Sequence, residues 1–96
     1  MTRDGGLVGV LVVKFKDGRH KFKFFRRGDR VVVEYCKVCS MARRILRIGG
    51  EDVDYVDKAL RDWKGGWPVK GFNLAHAKKA FESHLRKVYS GLLKTR

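Results

Sequence analysis

Residues 7–35 read LVGVLVVKFKDGRHKFKFFRRGDRVVVEY, and this stretch decides the fold. It opens on β-branched residues and passes into strict alternation of apolar and basic side chains, the period-two pattern of a strand with one face buried. Asp17-Gly18 interrupts the alternation. It is a strong hairpin signal, because a two-residue type I′ turn asks for positive φ at both central positions. Centred there, the turn sets Lys16 opposite Arg19, Phe15 opposite His20, Lys14 opposite Lys21 and Val13 opposite Phe22. One face then carries Leu11, Val13, Phe15, His20, Phe22 and Phe24. The other carries Lys14, Lys16, Arg19, Lys21 and Lys23, with Val10, Val12 and Phe25 toward the open end. Gly28-Asp29 marks a second turn, which places Val33 across from Phe24 and makes a third strand of Asp29 to Tyr35. Gly9, inside the first strand, marks a bulge or a close packing point.

Beyond Tyr35 the pattern changes. Ser40 to Ile48 places Ala42, Ile45, Leu46 and Ile48 against Arg43, Arg44 and Arg47, which predicts a short helix opened by Cys39 or Ser40 and ended by Gly49-Gly50. A second helix is predicted from Glu51-Asp52, with Val53, Val56, Leu60 and Trp63 as its apolar stripe and Gly65-Gly66 as its stop. Asn73 is the expected N-cap of a last helix running to about Gly91. Its buried stripe is Leu74, Ala77, Phe81, Leu85, Val88 and Leu92; its polar side holds His76, Lys79, Ser83, Arg86 and Lys87. Trp67, in the loop before it, is expected to lid the core. The fold class expected is α+β: a three-stranded antiparallel meander followed by two or three helices packed on one sheet face. One domain spans residues 1–96, with the meander at 7–35 and a helical part at 40–92.

The chain has 96 residues, with 23 Lys+Arg against 10 Asp+Glu, a formal charge of +13. That excess points to a polyanionic partner, nucleic acid first. The charge is also partitioned: residues 1–50 balance at +9, residues 51–64 at −2 and residues 65–96 at +6. A uniform solubility shell does not need that partition. A protein with one basic face does. Glutamine is absent and Asn73 is the sole asparagine, a depletion that fits a thermophilic source. No apolar run is long enough to span a membrane, so no membrane partner is expected. Arg3 and Asp4 lead straight into a β-branched run, so no secretory leader is expected either and the location read is cytoplasmic.

Candidate phosphate-contacting residues are the hairpin cations Lys14, Lys16, Arg19, Lys21 and Lys23. Arg43, Arg44 and Arg47 form a second group, and Lys79, Arg86 and Lys87 a third. The hairpin lacks aromatics between its lysines, which favours duplex backbone contact over base stacking on a sheet. The reading is a small, non-catalytic DNA- or RNA-binding protein, with a homodimer as a means of doubling the patch. The alternative class is a structural or protein-interaction module whose basic surface serves solubility or an acidic partner. A metal-dependent nuclease using Asp54 and Asp57 is the third reading.

Cys36 and Cys39 form a CxxC. Two such thiolates can share a tetrahedral zinc, but they supply two ligands of four. His76 and His84 sit eight residues apart on the last helix, about 12 Å along its axis and about 80° around it. At most one of them, His84, joins the pair, or else His20 does. A Cys36–Cys39 disulfide, a four-thiolate site shared by two chains, and two small buried side chains are the other readings. The thiols are expected to be structural rather than catalytic, with no cofactor.

Overall fold

A computed structural model of the chain describes residues 6–63 and 66–94. Residues 1–5, on which the expectation of no leader falls, and residues 64 and 65, part of the expected stop of the second helix, lie outside the described residues.

Strand β1 (Gly6–Phe15), β2 (Gly18–Arg27) and β3 (Arg30–Tyr35) form the expected antiparallel meander. The second turn is as read: Arg27 pairs with Arg30 and Phe24 with Val33. The first turn is not. Phe15 pairs with Gly18, Val13 with His20 and Leu11 with Phe22, a slip of two residues from the expected register. Lys16 and Asp17 occupy the turn at negative φ, and Gly18 alone takes a positive φ of 128°. The slip leaves every side chain on its expected face, because the side-chain period of a strand is two. Leu11, Val13, His20, Phe22 and Phe24 are buried. At the open end the register shifts between Leu7 and Gly9. A Cβ on Gly9 would run into the Leu74 side chain at 2.5 Å, so Gly9 is both the bulge and the close approach.

The back half departs from the expected helices. The expected α+β class, a three-stranded meander with two or three helices, gives way to a mostly β arrangement: of the described residues 44% are strand and 33% helix, in a curled antiparallel sheet of four to five strands, a separate two-stranded sheet and two helices. The predicted helix over Ser40–Ile48 is instead β4 (Met41–Ala42) and β5 (Ile45–Ile48). The first turn of the predicted second helix is β6 (Glu51–Asp54), which pairs with β5. Gly49 and Gly50, at φ of 59° and 83°, make the two-residue turn between them rather than a helix stop. Alternation explains the strand: Ile45 and Arg47 are exposed, Leu46 and Ile48 half-buried. Arg44 at φ 56° also interrupts any helix through this segment. The expected helical part at 40–92 is therefore β-structure as far as Asp54.

Helix α1 (Tyr55–Asp62) begins three to four residues later than expected, capped by the Asp54 carboxylate on the Asp57 amide at 2.9 Å. It closes at Trp63. A short strand β7 (Trp67–Pro68) then pairs with β3. Helix α2 (Leu74–Lys94) is the expected last helix, three residues longer than read, with the Asn73 side chain accepting from the His76 amide at 3.0 Å.

The core lies between the inner face of the sheet and the helices. It is a chain of rings. Phe22 meets Phe81 of α2 at 4.9 Å, Phe81 meets Trp63 at 5.4 Å, and Trp63 meets Trp67 at 5.1 Å. In the other direction Tyr55 meets Tyr89 at 4.9 Å and Tyr89 meets Phe15 at 4.8 Å. Trp67 also lies 5.7 Å from Phe24, which makes it the lid expected, although a strand holds it there. No helix among the described residues is long and apolar enough to cross a membrane.

Candidate nucleic-acid interface

Among the described residues helix packing falls on the phenylalanine face, and the outer face of the β1–β2–β3 sheet is left open. Pairing and parity arrange it in rows. Leu7, Phe25 and Val32 form an apolar row at the open end. Val10, Lys23 and Glu34 form the next, followed by Val12 and Lys21. The last row is Lys14, Arg19 and Met41, with Met41 contributed by β4. Arg19, Lys21 and Lys23 thus make a basic column up the middle strand, about 7 Å apart by the rise of two strand residues. Val10, Val12 and Met41 are its apolar neighbours, Lys14 adds a cation beside Arg19, and Glu34 lies beside Lys23.

The third column is broken and rejoined. After Tyr35 the Cys36 amide donates to the Lys21 carbonyl at 2.8 Å, and the chain then leaves the sheet. It returns at Ser40, whose hydroxyl accepts from the Lys21 amide at 2.9 Å and donates to the Cys36 carbonyl at 2.7 Å. One serine hydroxyl replaces the missing strand neighbour. A disulfide joins Cys36 and Cys39 across the excursion, with their Cα atoms 5.3 Å apart. The disulfide reading of the CxxC is therefore the one this geometry takes. Cys36 is buried, whereas Lys37, Val38 and Cys39 form an exposed tip beside Lys21. Neither candidate histidine joins the sulfurs. His84 bonds the Ala59 carbonyl at 2.9 Å, and His20 belongs to the buried cluster described below. No group of three or more metal-capable side chains occurs among the described residues.

The expected cations divide by their ion pairs. Carboxylates of the described residues engage Arg27, Arg44, Arg47, Lys58, Arg61 and Arg86. Arg44 is the most committed. It bonds Asp54 through Nε at 2.9 Å and stacks over the Tyr35 ring at 4.7 Å. Arg47 pairs with Asp52 on the β5–β6 hairpin, where it lines a shallow depression with Arg43. Arg86 pairs with Glu82 and lies over Phe15 at 5.0 Å. Lys14, Lys16, Arg19, Lys21, Lys23, Arg43, Lys79 and Lys87 make no ion pair with another described residue. Asp54 and Asp57, the nuclease candidates, are taken up by Arg44 and Arg61.

Two of the three expected groups meet. Arg86 and Ser90 of α2 line a depression with Lys14 and Lys16, and the same two residues line a second one with Lys79, Lys87 and Lys94. The hairpin end and the outer side of α2 are one continuous basic surface. Lys14, paired with Arg19, connects it to the open sheet face. Arg43 and Arg47 stand apart. The sequence reading missed Lys37, Val38, Met41 and Lys94. A helix drawn over Ser40–Ile48 hid Met41, which lies on the sheet through β4.

Behind this surface sits a buried polar cluster. His20 Nε2 lies 3.1 Å from Asp17 Oδ1 and 2.7 Å from the Tyr55 hydroxyl, and Nδ1 lies 3.2 Å from the Tyr35 hydroxyl. With hydrogen on Nε2, that one hydrogen is shared between Asp17 Oδ1 and the Tyr55 oxygen, and Nδ1 accepts from the Tyr35 hydroxyl. Burial by itself would raise the Asp17 carboxyl. Hydrogen bonds from Tyr55, His20 and the Arg44 amide outweigh it and hold that carboxyl below its ordinary value. Burial, then the bond to Asp17, pushes the Tyr55 phenol far up. His20 and Tyr55 have no exposed surface, so no substrate reaches them. The cluster is a tie between the first hairpin turn, the β4–β5 link and α1, and it fixes the end of the sheet that carries Lys14 and Arg19. Compared with known proteins, the chain matches no family model, no curated protein and no solved structure.

Proposed function

We propose that this protein binds the sugar-phosphate backbone of a nucleic-acid duplex through the open sheet face, without catalysis. One observation carries the reading: Lys14, Arg19, Lys21 and Lys23 share that face and make no ion pair with another described residue, while Asp52, Asp54, Asp57 and Asp62 of β6 and α1 engage cations elsewhere. Like charges gathered on one face repel, and a polyanion relieves that repulsion by releasing its counterions. The half-buried stems of Lys21 and Lys23 lie on their strand neighbours and keep the ammonium groups at the surface. The outer side of α2 extends the same surface through Lys14 and Arg86.

The test is duplex affinity against salt. Four phosphate contacts give a log–log slope near −3.6 and a loss of about 100-fold between 50 and 200 mM salt. Lys21→Glu with Lys23→Glu lowers affinity at least about tenfold while the protein stays folded. Lys79→Glu with Lys87→Glu weakens binding less. A flat salt dependence, or unchanged affinity in the sheet variant, overturns the proposal in favour of a face that serves solubility or an acidic protein.

A further inference from the structure

Val38 is the most exposed large apolar residue of the described chain, at 96% of its full accessible surface. It does not stand on a loose loop. Cys36 and Cys39 are cross-linked on either side of it, Ser40 is bonded to both the Lys21 amide and the Cys36 carbonyl, and the Ser40 amide donates to the Lys37 carbonyl at 3.3 Å. The tip is held on both sides while its side chain stands clear of the described residues. Met41, 73% exposed, stands three residues on and is paired with Arg19 on the open face. Lys37 precedes Val38, the Lys21 amide bonds Ser40 and Arg19 pairs with Met41, and none of these cations makes an ion pair with a described residue.

Val38 packs against no described residue of the folded chain. Its hydration is unfavourable, and a protein of +13 charge needs no apolar residue there for solubility. Placed against a duplex the arrangement becomes coherent. The cations seat the sheet on phosphates, and the tip then meets the groove edge of the base stack. Rigid apolar side chains at such positions enter between base pairs and partly unstack them, bending the duplex away from the protein. We infer that Val38, with Met41 beside it, is an apolar wedge that enters a base step of a bound duplex. This rests on the proposed function and adds to it: the ligand is a deformable double strand, and easily unstacked pyrimidine–purine steps are preferred.

The experiment uses the intact, oxidised chain and a DNA duplex carrying 2-aminopurine at TA and CA steps, whose fluorescence rises on unstacking. Salt-dependent affinity is measured on the same duplex by anisotropy. The expected result is a fluorescence rise at saturation that falls at least about twofold in Val38→Ala and in Val38→Lys, with affinity shifted by less than about threefold in the alanine variant. Val38→Lys adds a cation, so a mere surface position would bind tighter and unstack as before. Both variants alter a fully exposed side chain and leave the fold intact. Salt-dependent binding with no fluorescence rise, or a rise unchanged in both variants, overturns the wedge and leaves the backbone reading standing. No salt-dependent binding at all overturns both.

Discussion

The Tyr55 hydroxyl donates to Asp17 Oδ2 at 2.7 Å, joining the start of α1 to the first hairpin turn across 38 residues of sequence. Three donors converge on that one carboxylate, the others being His20 Nε2 and the Arg44 amide at 2.9 Å. Tyr55→Phe removes one donor from a nearly dry site and leaves His20 without its closest partner. The expected loss is about 1–3 kcal/mol in urea unfolding, with the denaturant slope unchanged. Tyr35→Phe, which touches only His20 Nδ1 in this cluster, costs less. Equal losses in the two variants would mean that the Asp17 tie is not where the energy lies.

The same cluster sets both arms of the stability profile against pH. Burial raises the Asp17 carboxyl, but its hydrogen bonds lower it further, so its folded value lies below the unfolded one. Its contribution is complete above the unfolded value, about 4, and is lost as pH falls through the folded value. Tyr55 runs the other way. Burial and the bond to Asp17 raise it, so its contribution is complete below the unfolded value, about 10, and is lost as pH climbs toward the folded value. Stability measured from pH 2 to 11 should show a plateau between arms near those values. Asp17→Asn should flatten the acid arm and Tyr55→Phe the alkaline one, each at a lower plateau. An alkaline arm of full size in Tyr55→Phe would place the titration on another group.

How much of this was legible follows from which rules are local. Alternation in Leu7–Tyr35 sorted the sheet faces correctly even though the first register was two residues out, because a slip of two preserves parity. In the observed register Asp17 sits in the turn with its side chain on partners at positions 20, 44 and 55. No window of the sequence contains that information. Gly49-Gly50 misled for a different reason. A glycine pair ends helices and also turns hairpins, and the apolar spacing of Ser40–Ile48 is too short to tell the two apart. The cations of the candidate site were legible one by one. Which of them lie idle was not, since Arg44–Asp54 and Arg86 over Phe15 are contacts made by the fold.

Glycine substitutions test the observed turns. Gly18 combines a φ of 128° with the backbone of Met41 pressed against the place a Cβ would take, so Gly18→Ala must break the β2–β4 pairing or strain the turn. A loss above about 2 kcal/mol is expected. Gly28 holds a φ of 63° with open space around it, and Gly28→Asn should stay within about 1 kcal/mol. Had the first hairpin kept its expected register, Gly18 would face no β4 and the two substitutions would cost alike. Thermal or urea midpoints of the two variants decide it.

Reduction of the Cys36–Cys39 bond should act locally and modestly. The loop it closes is four residues long, for which chain entropy allows about 2 kcal/mol. The larger effect should fall on the seam between β3 and β4. Ser40 holds the Lys21 amide only while the excursion keeps its width, so hydrogen exchange at Lys21 should accelerate far more on reduction than exchange at Phe24, deep in the β1–β2–β3 ladder. Cys36→Ser with Cys39→Ser should reproduce the reduced protein in both respects. Zinc offers the contrary outcome. Should the reduced protein regain the lost stability on addition of stoichiometric zinc, and the double serine variant not, the thiols are ligands. Two further ligands would then have to come from a second copy of the chain, because His20 and His84 are already bonded elsewhere in the fold.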